Sequence, residues 1–109
     1  MKAAVLTEYN KVEWKDIEKP LCKADEVLIR VSFASICGSD EHIYKGEFHP
    51  RTSTPMVMGH EFAGTIEEVG AEVKGFSPGE KVAPDPIIWC GECPACKLGR
   101  YPACTNLKL

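Results

Sequence analysis

The sequence lacks a long apolar run, an excess of charge of one sign, and any internal repeat or low-complexity tract. Its 109 residues carry 13 Lys and Arg against 16 Asp and Glu, a net charge of −3, and both signs are scattered. No basic stripe suggests a nucleic-acid partner. No stretch approaches the roughly 18 to 20 apolar residues of a membrane span, and the N-terminus becomes polar by Thr7, too early for a signal peptide. These absences predict a cytoplasmic protein without a nucleic-acid or membrane partner.

Short apolar runs are the main pattern that is present, and 9 Gly and 8 Pro punctuate them. This pattern favours a mainly β domain of modest core with irregular loops. The clearest strand covers residues 26–35, where apolar side chains alternate on one face. Leu28 and Ala34 make its second face partly apolar, which favours an internal strand.

Other segments predict shorter elements. A helix of one or two turns is expected over residues 38–45, with Ser39 or Asp40 as its cap and Gly46 as its end. Further strands are predicted at residues 2–6, 12–16, 62–69 and 81–83.

Four of the six cysteines form the pattern Cys90-x2-Cys93-x2-Cys96-x7-Cys104. In a small secreted domain six cysteines would suggest disulfides, whereas in a cytosolic protein they more often bind metal or catalyse. Tetrahedral zinc requires four soft ligands, and four thiolates would leave no position for substrate. We therefore predict a structural zinc lobe over residues 89–109.

Two other interpretations of these cysteines stay open. They could form disulfides or remain unpaired surface thiols, although an intracellular chain keeps its thiols reduced. They could also hold an iron–sulfur cluster, since the close triplet superficially resembles ferredoxin spacing, but no proline follows Cys104. Cys22 stands apart and is predicted to be a half-exposed thiol.

A second group of metal-competent residues lies upstream. Cys37 follows the long strand, and His60 and Glu61 follow a glycine. Each is a weak signal alone, because a cysteine after a strand usually belongs to the core and a His-Glu pair usually lies on the surface. Together, three or fewer protein ligands plus water would form an open Lewis-acid zinc site.

Three polar residues near Cys37 could serve such a site. Asp40 could accept a hydrogen bond from a histidine N–H, and Ser39 and His42 carry exchangeable protons.

These motifs resemble the zinc-containing alcohol dehydrogenases of the medium-chain superfamily. Residues 59–73 match the family signature Gly-His-Glu-x2-Gly-x5-Gly-x2-Val, and residues 37–42 read Cys-Gly-Ser-Asp-Glu-His, like the family's first catalytic-zinc segment. Residues 73–82 resemble the next turn and strand, and the four-cysteine lobe is similar to the family's structural zinc loop. The motifs follow the family's order and cover the whole chain.

The resemblance implies a fold, a reaction and residue roles. The fold is a GroES-like, partly open β-barrel. The reaction is hydride transfer from a secondary alcohol or polyol to NAD or NADP, with zinc polarising the substrate hydroxyl. Ser39 would take the hydroxyl proton, His42 would pass it toward solvent, and Asp40 would orient a histidine ligand. Cys37 and His60 would hold the catalytic zinc, and Glu61 would lie at the metal as a ligand or an exchangeable neighbour.

The match is also incomplete. Neither a Gly-x-Gly-x-x-Gly motif nor a βαβ pattern occurs, so residues 1–109 are interpreted as the N-terminal part of the catalytic domain, without the Rossmann domain. A remaining catalytic-zinc residue is expected beyond the chain. Gly38 resembles the sorbitol and threonine dehydrogenase branches, and Ser39 favours the polyol branch. Cofactor-binding residues, the individual alcohol and the choice between NAD and NADP are undetermined, and a homo-oligomer is expected by analogy.

The alternative function is a stand-alone, zinc-stabilised GroES-like binding module without catalysis. It accounts for the four cysteines and the β pattern. It does not account for the second group around Cys37 and His60 appearing in family order.

Overall fold

The structure is a computed structural model that describes residues 1–107. Residues 108 and 109, the end of the lobe predicted over 89–109, lie outside the described residues. The prediction of a mainly β chain with short helices is confirmed. The elements are β1 (Lys2–Glu8), β2 (Lys11–Asp16), β3 (Val27–Ala34), α1 (Gly38–Lys45), β4 (Met56–Val57), β5 (Phe62–Val69), β6 (Lys81–Val82), α2 (Pro94–Lys97) and a 3-10 helix (Tyr101–Ala103).

Two three-stranded antiparallel sheets form the framework, in the orders β2-β1-β4 and β3-β5-β6. Leu6 of the first sheet and Ile66 of the second are the largest fully buried side chains. The core is therefore small and lies on these two central strands. Among the described residues, no helix has the length and apolar character to cross a membrane.

The expectation that β3 is an internal strand is wrong. Within residues 1–107, β3 pairs with β5 alone and lies at the edge of its sheet. Its C-terminal half is exposed, and the side chain of Phe33 is 78% accessible. The described residues leave this half of β3 uncovered. Apolar residues on both faces indicate that both faces of a sheet are covered, and they do not show how many strands flank the strand.

The helix α1 has the predicted bounds, but its cap is different. Cys37 occupies the N-cap position, and its backbone N–H donates a 2.9 Å hydrogen bond to the carboxylate of Asp40. Ser39 and Asp40 therefore lie inside the first turn, where a carboxylate also interacts favourably with the helix dipole. Gly46 ends the helix in the left-handed conformation, with φ of 81°, as predicted.

The described chain is more open than a closed domain of its size. Its radius of gyration is 15.5 Å, whereas a compact domain of this length has about 13 Å. Its accessible surface is 8102 Å², whereas the usual scaling gives about 6,000 Å² for this mass. Several large apolar side chains are exposed as a result, among them Leu21, Phe33 and Ile36.

Two glycines of the 59–73 motif lie where the backbone of another segment approaches closely. A Cβ on Gly64 would come closer than 3.0 Å to the carbonyl group of Arg30 in β3, and a Cβ on Gly70 would come equally close to the carbonyls of Lys23 and Ala24. The backbone of Gly70 also donates a 2.9 Å hydrogen bond to Glu26. The motif spacing therefore reflects close backbone contact of Gly64 with β3 and of Gly70 with the segment that precedes β3.

Replacing Gly70 by alanine is expected to destabilise the fold. The added methyl group meets backbone atoms that cannot move independently of the sheet, and overpacking of this kind costs about 1–3 kcal/mol. Gly38→Ala is the matched control, because a Cβ at Gly38 meets nothing within 4 Å. Urea denaturation should show a lower midpoint for Gly70→Ala alone; an equal midpoint in both variants would contradict this packing account.

Candidate functional site

The antiparallel pairing of β3 with β5 brings two distant sequence segments together. Ala34 lies opposite Phe62 in the antiparallel register, and Ser35 N–H donates a 3.0 Å hydrogen bond to the carbonyl of Glu61. The residues that follow β3 must therefore lie beside those that precede β5. Cys37 and His60 become neighbours although 22 positions separate them in the sequence.

Cys37, His60 and Glu61 form a cluster of three metal-competent side chains. One ligand atom from each lies within 4.8 Å of the others. A tetrahedral shell at 2.0–2.3 Å from zinc places ligand atoms about 3.3–3.8 Å apart, so small side-chain adjustments would bring these atoms to zinc distances. Cys37 and His60 are half-buried and Glu61 is exposed. One sulfur, one nitrogen and one oxygen fit an open zinc site.

The two ring nitrogens of His60 have different neighbours. Nδ1 lies 3.2 Å from Oδ1 of Asp40, and Nε2 lies 3.2 Å from Oγ of Ser39. The first contact is too poorly aligned for a good hydrogen bond, so Asp40 Oδ1, which is buried, has no hydrogen-bond partner within residues 1–107. A metal on Nε2 would hold the proton on Nδ1, facing Asp40, which is the usual arrangement of a carboxylate behind a histidine ligand.

Glu61 is held by neighbours from the end of β3. The hydroxyl of Ser35 donates a short hydrogen bond to Oε2 of Glu61. This bond, followed by one from the Cys37 thiol, lowers the pKa of Glu61 below its ordinary value. Glu61 is therefore ionised at neutral pH and carries a negative charge next to Cys37 and His60, where a cation would be bound.

His42 lies two residues after Asp40 in α1, about half a helical turn further on, and has another partner. Its Nδ1 pairs with the carboxylate of Glu47, just beyond the end of α1, and its side chain is 56% accessible. Within residues 1–107, no direct hydrogen bond joins His42 to Ser39. A proton passing from Ser39 to His42 would need an intervening proton carrier, such as a water molecule.

The four cysteines of the lobe also form one cluster. A ligand atom from each lies within 4.8 Å of the others, and the Cys90 sulfur is 4.0 Å from that of Cys96 and 3.6 Å from that of Cys104. A tetrahedral zinc site with ligands at about 2.3 Å separates its sulfurs by about 3.8 Å. A disulfide needs about 2.05 Å, and all six cysteines are free thiols here. The geometry fits a closed tetrahedral shell.

The thiols of Cys93 and Cys96 have pKa values shifted in opposite directions, for different reasons. A backbone N–H bond from Cys96, followed by one from Thr105, lowers the pKa of Cys93 to about 6. Burial, together with the hydrogen bond to Cys93, raises the pKa of Cys96 to about 12. Without a cation, burial and the hydrogen bond to Cys93 therefore oppose the ionisation of Cys96. A divalent metal would remove this opposition and allow all four to ionise.

Short helices and an aromatic pair hold the lobe. Cys93 is the N-cap of α2, and Pro94 occupies its first turn, where the missing N–H of proline costs nothing. Trp89 and Tyr101 stack with ring centroids 4.4 Å apart. Cys93 and Cys96 are the buried apolar side chains of the lobe, so the cluster itself takes the place of a hydrophobic core.

Sequence reasoning missed several residues around the first cluster. Ser35 and Glu47 carry no motif of their own, and only the pairing of β3 with β5 and the chain reversal after Gly46 show their roles. Arg51 and Thr52 were also missed; with Ser39 and His60 they line a cavity of about 550 Å³. Cys22 was predicted to stand apart, and it is a half-buried thiol outside both clusters.

Comparison with known proteins gives consistent matches. Residues 23–109 match the family model described as the alcohol dehydrogenase GroES-like domain. The chain is 46% identical over 86 residues to 2-dehydro-3-deoxy-L-galactonate 5-dehydrogenase from Pseudoalteromonas atlantica, which covers 79% of the chain and 25% of that protein. It is 40% identical over 112 residues to sorbitol dehydrogenase from Bacillus subtilis, covering 99% of the chain and 31% of that enzyme.

A solved structure shares the fold. The crystal structure of an alcohol dehydrogenase from Escherichia coli CFT073, in complex with NADH, superposes with a TM-score of 0.86 at 40% identity, covering all of this chain and 31% of that one. The chain therefore spans about a quarter to a third of the length of these relatives.

Proposed function

The chain belongs to the family of the alcohol dehydrogenase GroES-like domain, and on this premise we propose that it supplies the zinc-binding catalytic part of a longer NAD(P)-dependent dehydrogenase. The substrate is a secondary alcohol or a polyol. The observation that carries the proposal is the cluster of Cys37, His60 and Glu61, which joins one soft, one borderline and one hard ligand at an open position.

The residues have separate roles in this proposal. Cys37, His60 and Glu61 would hold the catalytic zinc, and the four lobe cysteines would hold a structural zinc. When bound, zinc supplies a Lewis acid that lowers the pKa of the substrate hydroxyl, and the nicotinamide accepts a hydride.

Side chains of this chain would accept the substrate hydroxyl proton and release it to solvent. Ser39 Oγ, 3.2 Å from His60 Nε2, lies next to the proposed substrate hydroxyl and would take its proton. His42 is exposed and paired with Glu47, so it would exchange that proton with solvent. Asp40 orients the His60 ring from the opposite side.

The openness of the described residues supports a longer parent protein. An accessible surface about 2,000 Å² above the usual scaling and the exposed face of β3 are expected of a domain that further chain completes. We place the nucleotide-binding domain in that further chain. Which residues bind the cofactor, and whether it is NAD or NADP, depends on it.

A stand-alone zinc-stabilised binding module remains the second candidate. The four-cysteine lobe would serve either function equally well. The first cluster favours the enzyme, because a binding module has no need of Cys37, His60 and Glu61 at an open position with Asp40 behind the histidine and Ser39 beside it.

A turnover assay tests the proposal. The full-length protein containing this chain, incubated with NAD or NADP and a panel of secondary alcohols and polyols, should form the reduced cofactor. Chelation of zinc should abolish the rate and added zinc should restore it. Residues 1–109 alone should be inactive. Turnover by these residues alone, or a full-length rate that survives complete removal of zinc, would refute the proposal.

A further inference from the structure

The cavity beside His60 contains one permanent charge. Its volume is about 550 Å³, within the usual range for a small-molecule site. Ser39 and His60 line it, so it opens onto the proposed catalytic cluster. Arg51 also lines it, whereas no Asp or Glu does.

Arg51 is exposed and has no acidic partner among the described residues. Within residues 1–107 neither its guanidinium nor those of Arg30 and Arg100 form a salt bridge, and Arg51 is the one that lines this cavity. A guanidinium presents a planar set of N–H donors that matches the oxygen pairs of carboxylate and phosphate groups. An unpaired arginine on the wall of a cavity without acidic residues therefore favours an anionic occupant.

Thr52 adds an independent observation. It is only 7% accessible, and its buried Oγ1 has no hydrogen-bond partner in the described structure. Leaving a buried polar group unpaired costs free energy. This residue also lines the cavity. Its Oγ1 is shielded from solvent, so the side chain would rotate to bring the hydroxyl to the acceptor oxygens of a bound group.

Backbone contacts fix both residues on one turn. The N–H groups of Arg51 and Thr52 donate to the carbonyl of Phe48, at 2.7 and 3.3 Å. The hydroxyl of Tyr9 donates a 3.0 Å hydrogen bond to the carbonyl of Thr52, which ties the turn to the end of β1. The backbone of this turn is thus fixed before any ligand arrives, which lowers the entropic cost of binding.

We infer that the alcohol substrate carries an anionic group, a phosphate or a carboxylate, which Arg51 and Thr52 bind while its hydroxyl lies beside Ser39 and His60. The inference rests on the proposed function and narrows its substrate class from polyols in general to polyol phosphates or sugar acids. The apolar remainder of the cavity, including Ile43 and Met56, would contact the carbon chain.

Matched substrate sets test the inference. For four-, five- and six-carbon skeletons, the neutral polyol, its terminal phosphate ester and the corresponding aldonic acid are assayed with the full-length zinc-loaded enzyme and NAD or NADP. At least one anionic compound should exceed its neutral partner by about tenfold or more in kcat/KM, since hydrogen bonds to charged groups are worth that much. A preference for the phosphate or for the carboxylate identifies which group is bound.

Variants separate binding from structural damage. Arg51→Gln should reduce kcat/KM for the preferred anionic compound by at least about tenfold, mainly through KM, and change that of the neutral polyol less than about twofold. Thr52→Val should weaken the same compound without lowering the melting temperature of the ligand-free protein, because it removes an unpaired hydroxyl. Arg100→Gln, an exposed arginine in the lobe, is the control and should behave as wild type.

A binding measurement keeps this test separate from the test of activity. Calorimetry with the phosphate esters and aldonic acids, without cofactor, should show affinity that Arg51→Gln removes, even if no compound turns over. Absence of turnover with Arg51-dependent binding would sink the proposed function and leave the anion site standing. Neutral polyols preferred in every set, or an equal loss of both classes in Arg51→Gln, would overturn the anion site.

Discussion

His60→Ala in the full-length enzyme should lower kcat/KM for its alcohol substrate by at least about 10³-fold. The imidazole is the only nitrogen in the cluster with Cys37 and Glu61, and its removal leaves two ligands from the described chain. Lewis-acid stabilisation of developing charge is worth several kcal/mol, and each 1.36 kcal/mol corresponds to a tenfold change in rate. Initial rates over a range of substrate concentrations give the measurement.

His49→Ala is the control for this variant. His49 is exposed and belongs to neither cluster, so its replacement should leave kcat/KM within about twofold of wild type. His60 is half-buried, so the melting temperature of both variants should be recorded. A folded His60→Ala enzyme with nearly full activity would rule out the first cluster as the catalytic centre.

Cys96→Ser should remove the zinc of the lobe and disorder the segment around it. Cys96 is one of the two buried ligands, and structural zinc in small peptides contributes on the order of 10 kcal/mol or more. Little else holds this segment apart from the stack of Trp89 on Tyr101. Limited proteolysis should therefore cleave residues 90–107 of the variant rapidly, while the two sheets remain protected.

Cys22→Ser is the control for the lobe variant. Its thiol donates hydrogen bonds to the carbonyls of Lys23 and Glu26 and lies outside both clusters. Zinc content and protease resistance should be unchanged. If Cys96→Ser kept a protected lobe, packing rather than metal would be responsible for its order.

The helices and strands could be predicted where strong local signals mark their ends. The strand at residues 62–69 was predicted to the residue, because glycines at 59 and 70 bracket it. The long strand was predicted to within one residue at each end, but its position in the sheet was wrong. Apolar residues on both faces indicate that both faces of the sheet are covered, and they do not show whether the strand is central or at the edge of that sheet.

The candidate sites could also be predicted only where their residues are close in sequence. The four lobe cysteines are close in sequence, so their spacing was sufficient to predict a cluster. Cys37 and His60 are neighbours because Ala34 lies opposite Phe62 in the register of β3 and β5. The spacing of Cys37 and His60 in the sequence does not reveal this register. The cap of α1 was missed because cysteine is an unusual N-cap residue. Arg51 was missed because its significance depends on a turn and a cavity that have no sequence pattern.

Counting zinc in the purified full-length protein tests the central claim, that one chain holds two zinc centres of different kinds. Elemental analysis should give two zinc ions per chain in the wild type and about one in each of His60→Ala and Cys96→Ser. The ion that remains in His60→Ala should resist a weak chelator, since four thiolates close its shell. A single zinc per chain in the wild type, unaffected by His60→Ala, would contradict the account.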